Sequence, residues 1–479
     1  MDRIQMQIPV LSDEIFDKLK KASEHVMSDI GFVVNNKTIL DGLKDAGASV
    51  DYGNEKVKIA PDLLWELVDR VPSTYKVCGM TGDSWDIGAG AVYKSAIVMD
   101  PYFADYPSGE MRRPSLKDLI MTTRIIQSQP DVALVSLMDY PVTDVSGPAS
   151  RYRALEAHLL NHAKPYAIYP TSYKSFMEWM DIGNIITRGG PLAGTGLFSS
   201  AIAVISPLTL AGENAKILLE CLKYGFPLVP TVCPMAGSTS PYSFAGTLVQ
   251  GIAENLVVLC CAQALNPGNP FIFLFSPSVT EMQSGRDLFY TIDKSMWKLA
   301  SVQFAKRLGL PVHTETGGAL NCRYDMQSGA EGMLMVLSAV MSGADLLAGS
   351  GSCLNANGLS PEFMLSHYAY HDAAAHLKNG YSMAELDRCL ESIREQGCGG
   401  NFLTDDLTIE HLRDSEFFSH LLFDESGEHG GGASMLERAH NEALRIDESY
   451  ISPVPEDIAD ALRSHFDRIC EGFRGGGAR

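Results

Sequence analysis

Two hydrophobic textures alternate through the middle of the chain. Short unbroken apolar runs, over 132–138, 165–169, 201–205, 227–232, 270–275, 310–313 and 345–348, are separated by longer stretches in which apolar residues return every three or four positions. The runs have the length and composition of strands buried on both faces. The longer stretches, 115–127, 151–162, 176–187, 214–224, 248–265, 294–307 and 330–341, have the period of helices. Each strand is preceded by a helix, so the connections cross over and the sheet is parallel. The strand-to-strand interval of roughly 25 to 40 residues suits the units of a (β/α)8 TIM barrel. An open doubly wound sheet is the alternative with the same alternation. Seven strands are accounted for in these runs, and the eighth is expected irregularly after Gly380.

The flanks have a different texture. Residues 1–114 read as an α+β appendage, with helices over 11–30, 39–46 and 61–71 and short strands over 57–59 and 75–77. A further strand over 91–105 runs into the turn Pro107-Ser108-Gly109, forming a hairpin expected at the barrel mouth. Residues 115–380 form the barrel core. Beyond 380 the chain turns polar and helical (384–396, 408–412, 433–444, 455–470), a C-terminal extension with a glycine joint at 430–432.

Composition narrows the function. The formal net charge of −20 repels polyphosphate, which argues against nucleic acid as a partner. Ten cysteines without a C-x-x-C spacing form neither a disulfide framework nor a zinc site, and they suit a reducing cytoplasm. Met1 to Gln7 lack an apolar leader pattern, and no run approaches the ~20 residues that span a bilayer. The reading is a cytoplasmic protein with no membrane partner; a homo-oligomer is compatible with it.

In such a barrel the chemistry gathers at the C-terminal ends of the strands. The residues there are Asp139, Tyr140, Tyr169, Thr171, Ser206, Cys233, Ser276, His313, Glu315 and Ser350. Phosphate-binding loops, dinucleotide fingerprints, H-E-x-x-H and nucleophile elbows are missing, so neither a nucleotide nor a tightly held metal is implied. Aromatic rings are present instead: Tyr140, Tyr169 and Phe275 close strands, while Tyr93, Tyr102 and Phe103 come from the hairpin. Rings beside a carboxylate suit a quaternary ammonium, which has no N–H to donate; each ring is worth about 0.5–2 kcal/mol when desolvated. The competing reading for any single ring is core packing. His313 and Glu315 flank Thr314 and so face the same way. Gly317-Gly318 and Gly349-Ser350-Gly351 are either strand-end turns or a phosphate cradle.

One set of motifs resembles the trimethylamine methyltransferase superfamily. It comprises PMAGSTSP at 234–241, FAGTLVQ at 244–250, AENL at 253–256, Ala262-Gln263, Asn266-Pro267-Gly268 and Pro270. MQSG at 282–285, GLP at 309–311, GAD at 343–345, AGA at 46–48, Pro101-Tyr102 and SGEMRRP at 108–114 add to it. The resemblance implies a TIM barrel that moves a methyl group from a methylamine to Co(I) of a corrinoid (cobalamin), carried by a separate protein docking over the mouth. Members acting on trimethylamine carry pyrrolysine at about 319–327, where this chain reads ALNCRYDMQ. A quaternary amine leaves as a neutral amine without that activation, so the resemblance points to the branch lacking pyrrolysine. Glycine betaine is the leading substrate there, with proline betaine, carnitine and γ-butyrobetaine as alternatives. The implied roles are a cage of Tyr93, Tyr102, Tyr140, Tyr169 and Phe275, with Glu315 supplying charge. His313 and the N–H groups of Gly349 and Ser350 would take a substrate carboxylate. The other readings are a quaternary-amine binding protein without transfer activity and a barrel enzyme for a phosphorylated substrate.

Overall fold

Eight parallel strands form one closed sheet in the computed structural model, which describes residues 3–138, 142–414, 416–427 and 432–475. They are β1 (Tyr93–Ile97), β2 (Val132–Ser136), β3 (Tyr166–Ile168), β4 (Phe198–Ala203), β5 (Leu228–Thr231), β6 (Phe273–Leu274), β7 (Val312–Glu315) and β8 (Leu346–Ala348). Each pairs with its sequence neighbour, β8 pairs with β1, and a parallel bridge between Leu228 and Phe271 joins β5 to the start of β6. The helices between them are α1 (Leu116–Ser128), α2 (Ala149–Leu159), α3 (Tyr173–Ile186), α4 (Gly212–Tyr224), α5 (Phe244–Leu265), α6 (Asp293–Arg307) and α7 (Met326–Ser342), with α8 (Pro361–Asn379) after β8. The barrel is a TIM barrel, not an open sheet.

The eighth strand is the first, β1, and not a segment after Gly380. It comes from the 91–105 stretch, ahead of the boundary drawn at 114. Its sequence, YKSAI, hides it from a search for apolar runs because Lys94 and Ser95 are polar yet buried. Lys94 tolerates that site because it pairs with Asp131, just before β2. The hairpin beyond β1 does form. Tyr102–Ala104 pairs antiparallel with Met111–Arg112, and beside it lie Gly358–Leu359 and Ser352–Cys353, which follow β8. That sheet therefore sits at the C-terminal end of the barrel.

The opposite end is stoppered. A hairpin of Tyr75–Cys78 and Ser84–Ile87 inserts Tyr75, Val77 and Ile87 among the interior side chains Leu134, Ala167, Val229, Ile272, Leu274 and Leu346. The N–H groups of Met80 and Cys78 donate to the carbonyls of Ala163 and Gly196, which lie just before β3 and β4.

The appendages complete the outer layer. α5 is long and apolar enough by composition to cross a bilayer, but it is a core helix. Asp13–His25, Lys37–Asp45 and Pro61–Asp69 pack over it and keep Leu256 to Ala262 out of water. On the other side Met435–Glu448 packs on α8 and α1, and Glu456–Gly475 on α2 and α3. Ion pairs Arg124–Asp447, Arg153–Asp467 and Arg188–Asp457 tie these two helices to the barrel.

Candidate active site

Strand parity decides which side chains meet inside the barrel. Leu274, His313 and Leu346 are register partners and face inward; two residues on, Glu315 and Ala348 repeat the pattern nearer the mouth. The interior widens toward that end: Ala201 of β4 is 8% exposed, whereas Ala203 and Cys233 are open to solvent. Tyr169, two residues past inward-facing Ala167, is partly exposed in the same space.

Glu315 is the centre of this mouth. Its Oε1 accepts from Ser276 Oγ at 2.5 Å, and its Oε2 lies 2.6 Å from Lys294 Nζ. Lys294 belongs to the first turn of α6, reaches 3.2 Å from Ser276 Oγ and stands 3.0 Å above the Phe289 ring. Burial by itself would raise the Glu315 carboxyl. The charges of Lys294 and Lys298 and the bonds from Lys294 and Ser276 outweigh it and hold the group below its ordinary value. Burial lowers the Lys294 ammonium, opposed by Glu315. One turn along α6, Lys298 is pushed down to about 7 by burial, and its Nζ has Met335 Sδ at 3.2 Å.

Four other groups around Glu315, His313, Tyr169, Cys233 and Tyr290, are neutral near pH 7. Burial, with a small opposing pull from Glu315, takes His313 down to about 4, and neither ring nitrogen has a partner among the described residues. Burial and the neighbouring Cys233 and Glu315 push the Tyr169 phenol up to about 12. Cys233 is also pushed up to about 12, by its surroundings and by Glu315, although its surface opens into the mouth. Tyr290 is buried against Gly318, where an added methyl group would lie 2.2 Å from Cζ of the ring. Its phenol lies within reach of Ser352, as does Asp100, whose carboxyl burial raises to about 7.

Several expected site residues lie elsewhere. Tyr93 opens β1, at the stoppered end. Phe275 alternates with inward-facing Leu274 and so points outward onto α5, where Gly251 leaves room for it; a methyl there would meet its ring at 2.0 Å. Tyr102 is on the rim sheet, with one ring face covered by Arg113 at 4.3 Å. Ser350 directs Oγ toward His371 Nε2 of α8 (3.4 Å), and the Gly349 carbonyl takes the Ser352 N–H. Ser206 donates to Glu254 of α5, and Thr171 is exposed. Asp139 and Tyr140 lie outside the described residues. Of the five proposed cage rings, Tyr169 is the one found inside the mouth among the described residues. Lys294, Lys298, Phe289, Tyr290 and Asp100 were missed. The lysines had a signal: with Ser301 and Ala305 they recur along one face of α6, the face turned to the barrel.

A closed (β/α)8 barrel with one stoppered end, and a buried charge cluster at the C-terminal end, defines a TIM-barrel enzyme with its chemistry at that mouth. The chain belongs to the trimethylamine methyltransferase (MTTB) family, whose profile matches residues 1–472, and it is a methyltransferase. Its relatives include the trimethylamine methyltransferase MttB of Desulfitobacterium hafniense (strain DSM 10664 / DCB-2), 24% identical over 95% of this chain and 92% of that one. A glycine betaine methyltransferase of D. hafniense (strain Y51) is 22% identical over 97% and 98%. A proline betaine:corrinoid methyltransferase of Eubacterium limosum is 21% identical over 81% of each. Among solved structures, a hydroxylamine complex of MtmB superposes with a TM-score of 0.51 at 12% identity, covering 97% of this chain and 89% of that chain; it supports the fold alone.

Proposed function

We propose that this enzyme moves a methyl group from a quaternary amine to Co(I) of a corrinoid carried by a separate protein, with glycine betaine as substrate and dimethylglycine as product. The observation that carries this reading is the mouth itself: a partly exposed, ionised Glu315 near Tyr169, neither of them a proton donor near pH 7. Lys294 is committed to its ion pair, while Tyr169 and Cys233 hold their protons far above neutral pH. A trimethylammonium group asks for no acid, because it departs as a neutral amine. It asks for charge and ring faces, exclusion of water, and alignment with the attacking acceptor. The acceptor supplies a nucleophilic metal from outside the chain, and the open surfaces of Ala203 and Cys233 leave it a way in. One layer below Glu315, the neutral imidazole of His313 has N–H capacity to spare for the carboxylate of a betaine. Residues 319–327 hold no pyrrolysine, which favours quaternary over tertiary amines within this family.

The test is methylation of chemically reduced cob(I)alamin, followed by absorbance, with trimethylamine, glycine betaine, proline betaine, carnitine and γ-butyrobetaine. Turnover with glycine betaine and none with trimethylamine is the expected result. Turnover with another betaine would replace the substrate but keep the reaction. Silence with every amine, under verified Co(I), would reject transfer and leave an amine-binding protein.

A further inference from the structure

We infer that Lys294 is a positioning residue: it stays out of contact with the substrate and holds Glu315 oriented and anionic at the barrel mouth. The inference rests on the proposed reading only for its binding readout. The Lys294 side chain has 0% exposure, whereas Glu315 keeps 16%, so Glu315 meets the mouth with its Oε2 buried against the ammonium behind it. Ser276 and Lys294 take one carboxylate oxygen each, which fixes the plane of the group. Lys294 is itself fixed by Ser276 Oγ and by the Phe289 ring beneath it.

The groups facing Glu315 leave this task to α6. His313 from β7, Tyr169 from β3, Cys233 from the β5 end and Tyr290 from the loop before α6 are all neutral near pH 7, and Asp287 adds an acid on the Lys294 side. Among the described residues, Lys294 and Lys298 are the cations close enough to favour the anion through charge, and of the two Lys294 touches it. Without Lys294, burial dominates and the carboxyl takes up a proton in the neutral range.

The experiment reads Glu315 directly, by infrared difference spectra of wild type against Glu315→Gln in protein labelled with 13C-carboxyl glutamate. Glu315 is expected to be ionised from pH 6 to 9 in the wild type and in Lys294→Arg. In Lys294→Met, and in the milder Lys294→Gln, its protonated band should appear at pH 7. Binding of tetramethylammonium, measured by calorimetry, should weaken from pH 9 to 6 in the wild type only as far as Lys298 gains its proton near pH 7, and should weaken a further tenfold or more over that interval in Lys294→Met. A merely structural lysine predicts no new titration. A protonated Glu315 in the wild type at pH 7, or an ionised one in a folded Lys294→Met or Lys294→Gln, overturns the inference. If tetramethylammonium fails to bind the wild type, the cation-site reading of Glu315 falls while the infrared result still judges Lys294.

Discussion

His313 lies two residues before Glu315 on the same face of β7, and the protein keeps the first neutral and the second charged. The difference is one of partners. Glu315 has Lys294 and Ser276 at hydrogen-bond distance, whereas neither nitrogen of His313 has a partner among the described residues. Burial without compensation removes the charge; burial with a counter-ion preserves it.

A pH dependence of stability follows for His313. Its value falls from 6.5 unfolded to about 4 folded, so the unfolded chain binds the extra proton. The stabilisation of the neutral form is complete above pH 6.5 and is lost as pH falls from there toward 4. Between pH 8 and pH 5 the loss assigned to this residue is about 2 kcal/mol. Denaturant melts of the wild type and His313→Gln check it, since the variant should lose less stability over that interval.

Parity separates Tyr169 from Phe275, with which it was grouped. Tyr169→Ala is expected to raise KM for the amine roughly two- to thirtyfold, the worth of one ring facing a cation, while Tyr169→Phe changes little. Phe275→Ala should instead cost about 3–5 kcal/mol of stability through the cavity left beside Gly251, and leave KM unchanged in the folded fraction. Paired melts and Michaelis curves distinguish the two. A KM effect at Phe275 would contradict its outward orientation.

Glu315→Gln removes the accessible anion and keeps the shape. Expected is a loss of roughly ten- to a hundredfold in kcat/KM, equivalent to about 1.5–3 kcal/mol, the strength of a contact to a charged group. Stability should fall too, because Lys294 is left buried without its counter-ion. Steady-state kinetics below the melting temperature of the variant read the first effect, and calorimetry reads the second.

Gly318 has φ +125° and faces the flat of the Tyr290 ring. Gly318→Ala therefore meets both backbone strain and a collision at 2.2 Å with a fully packed ring. A fall of several degrees in Tm is expected, with impaired turnover as the ring shifts in the mouth. Gly309→Ala, also at positive φ but in open space, should cost Tm while sparing turnover.

The barrel was legible because seven of its strands are buried on both faces and must be apolar to fold. The eighth was not, since polar Lys94 is accommodated in the wall by pairing with Asp131, a contact between residues 37 apart. At the site, reading off strand ends found Glu315, Ser276, Tyr169 and Cys233. It misjudged Phe275 because being last in a strand says nothing of which side a residue faces. Lys294 escaped for a third reason: it reaches the mouth from a helix, through a long side chain whose direction is set by the packing of Phe289 and Ser276.

The hairpin of Tyr75–Cys78 and Ser84–Ile87 closes the far end of the barrel, and this fixes a sequence in time as well as a shape. A vessel with one door obliges its visitors to queue. Whatever rests deepest, near His313, must enter before anything large settles over the mouth, and must wait for that lid to lift before it leaves. In the proposed reaction the methyl donor is therefore expected to enter before the acceptor docks, and the demethylated amine to depart last.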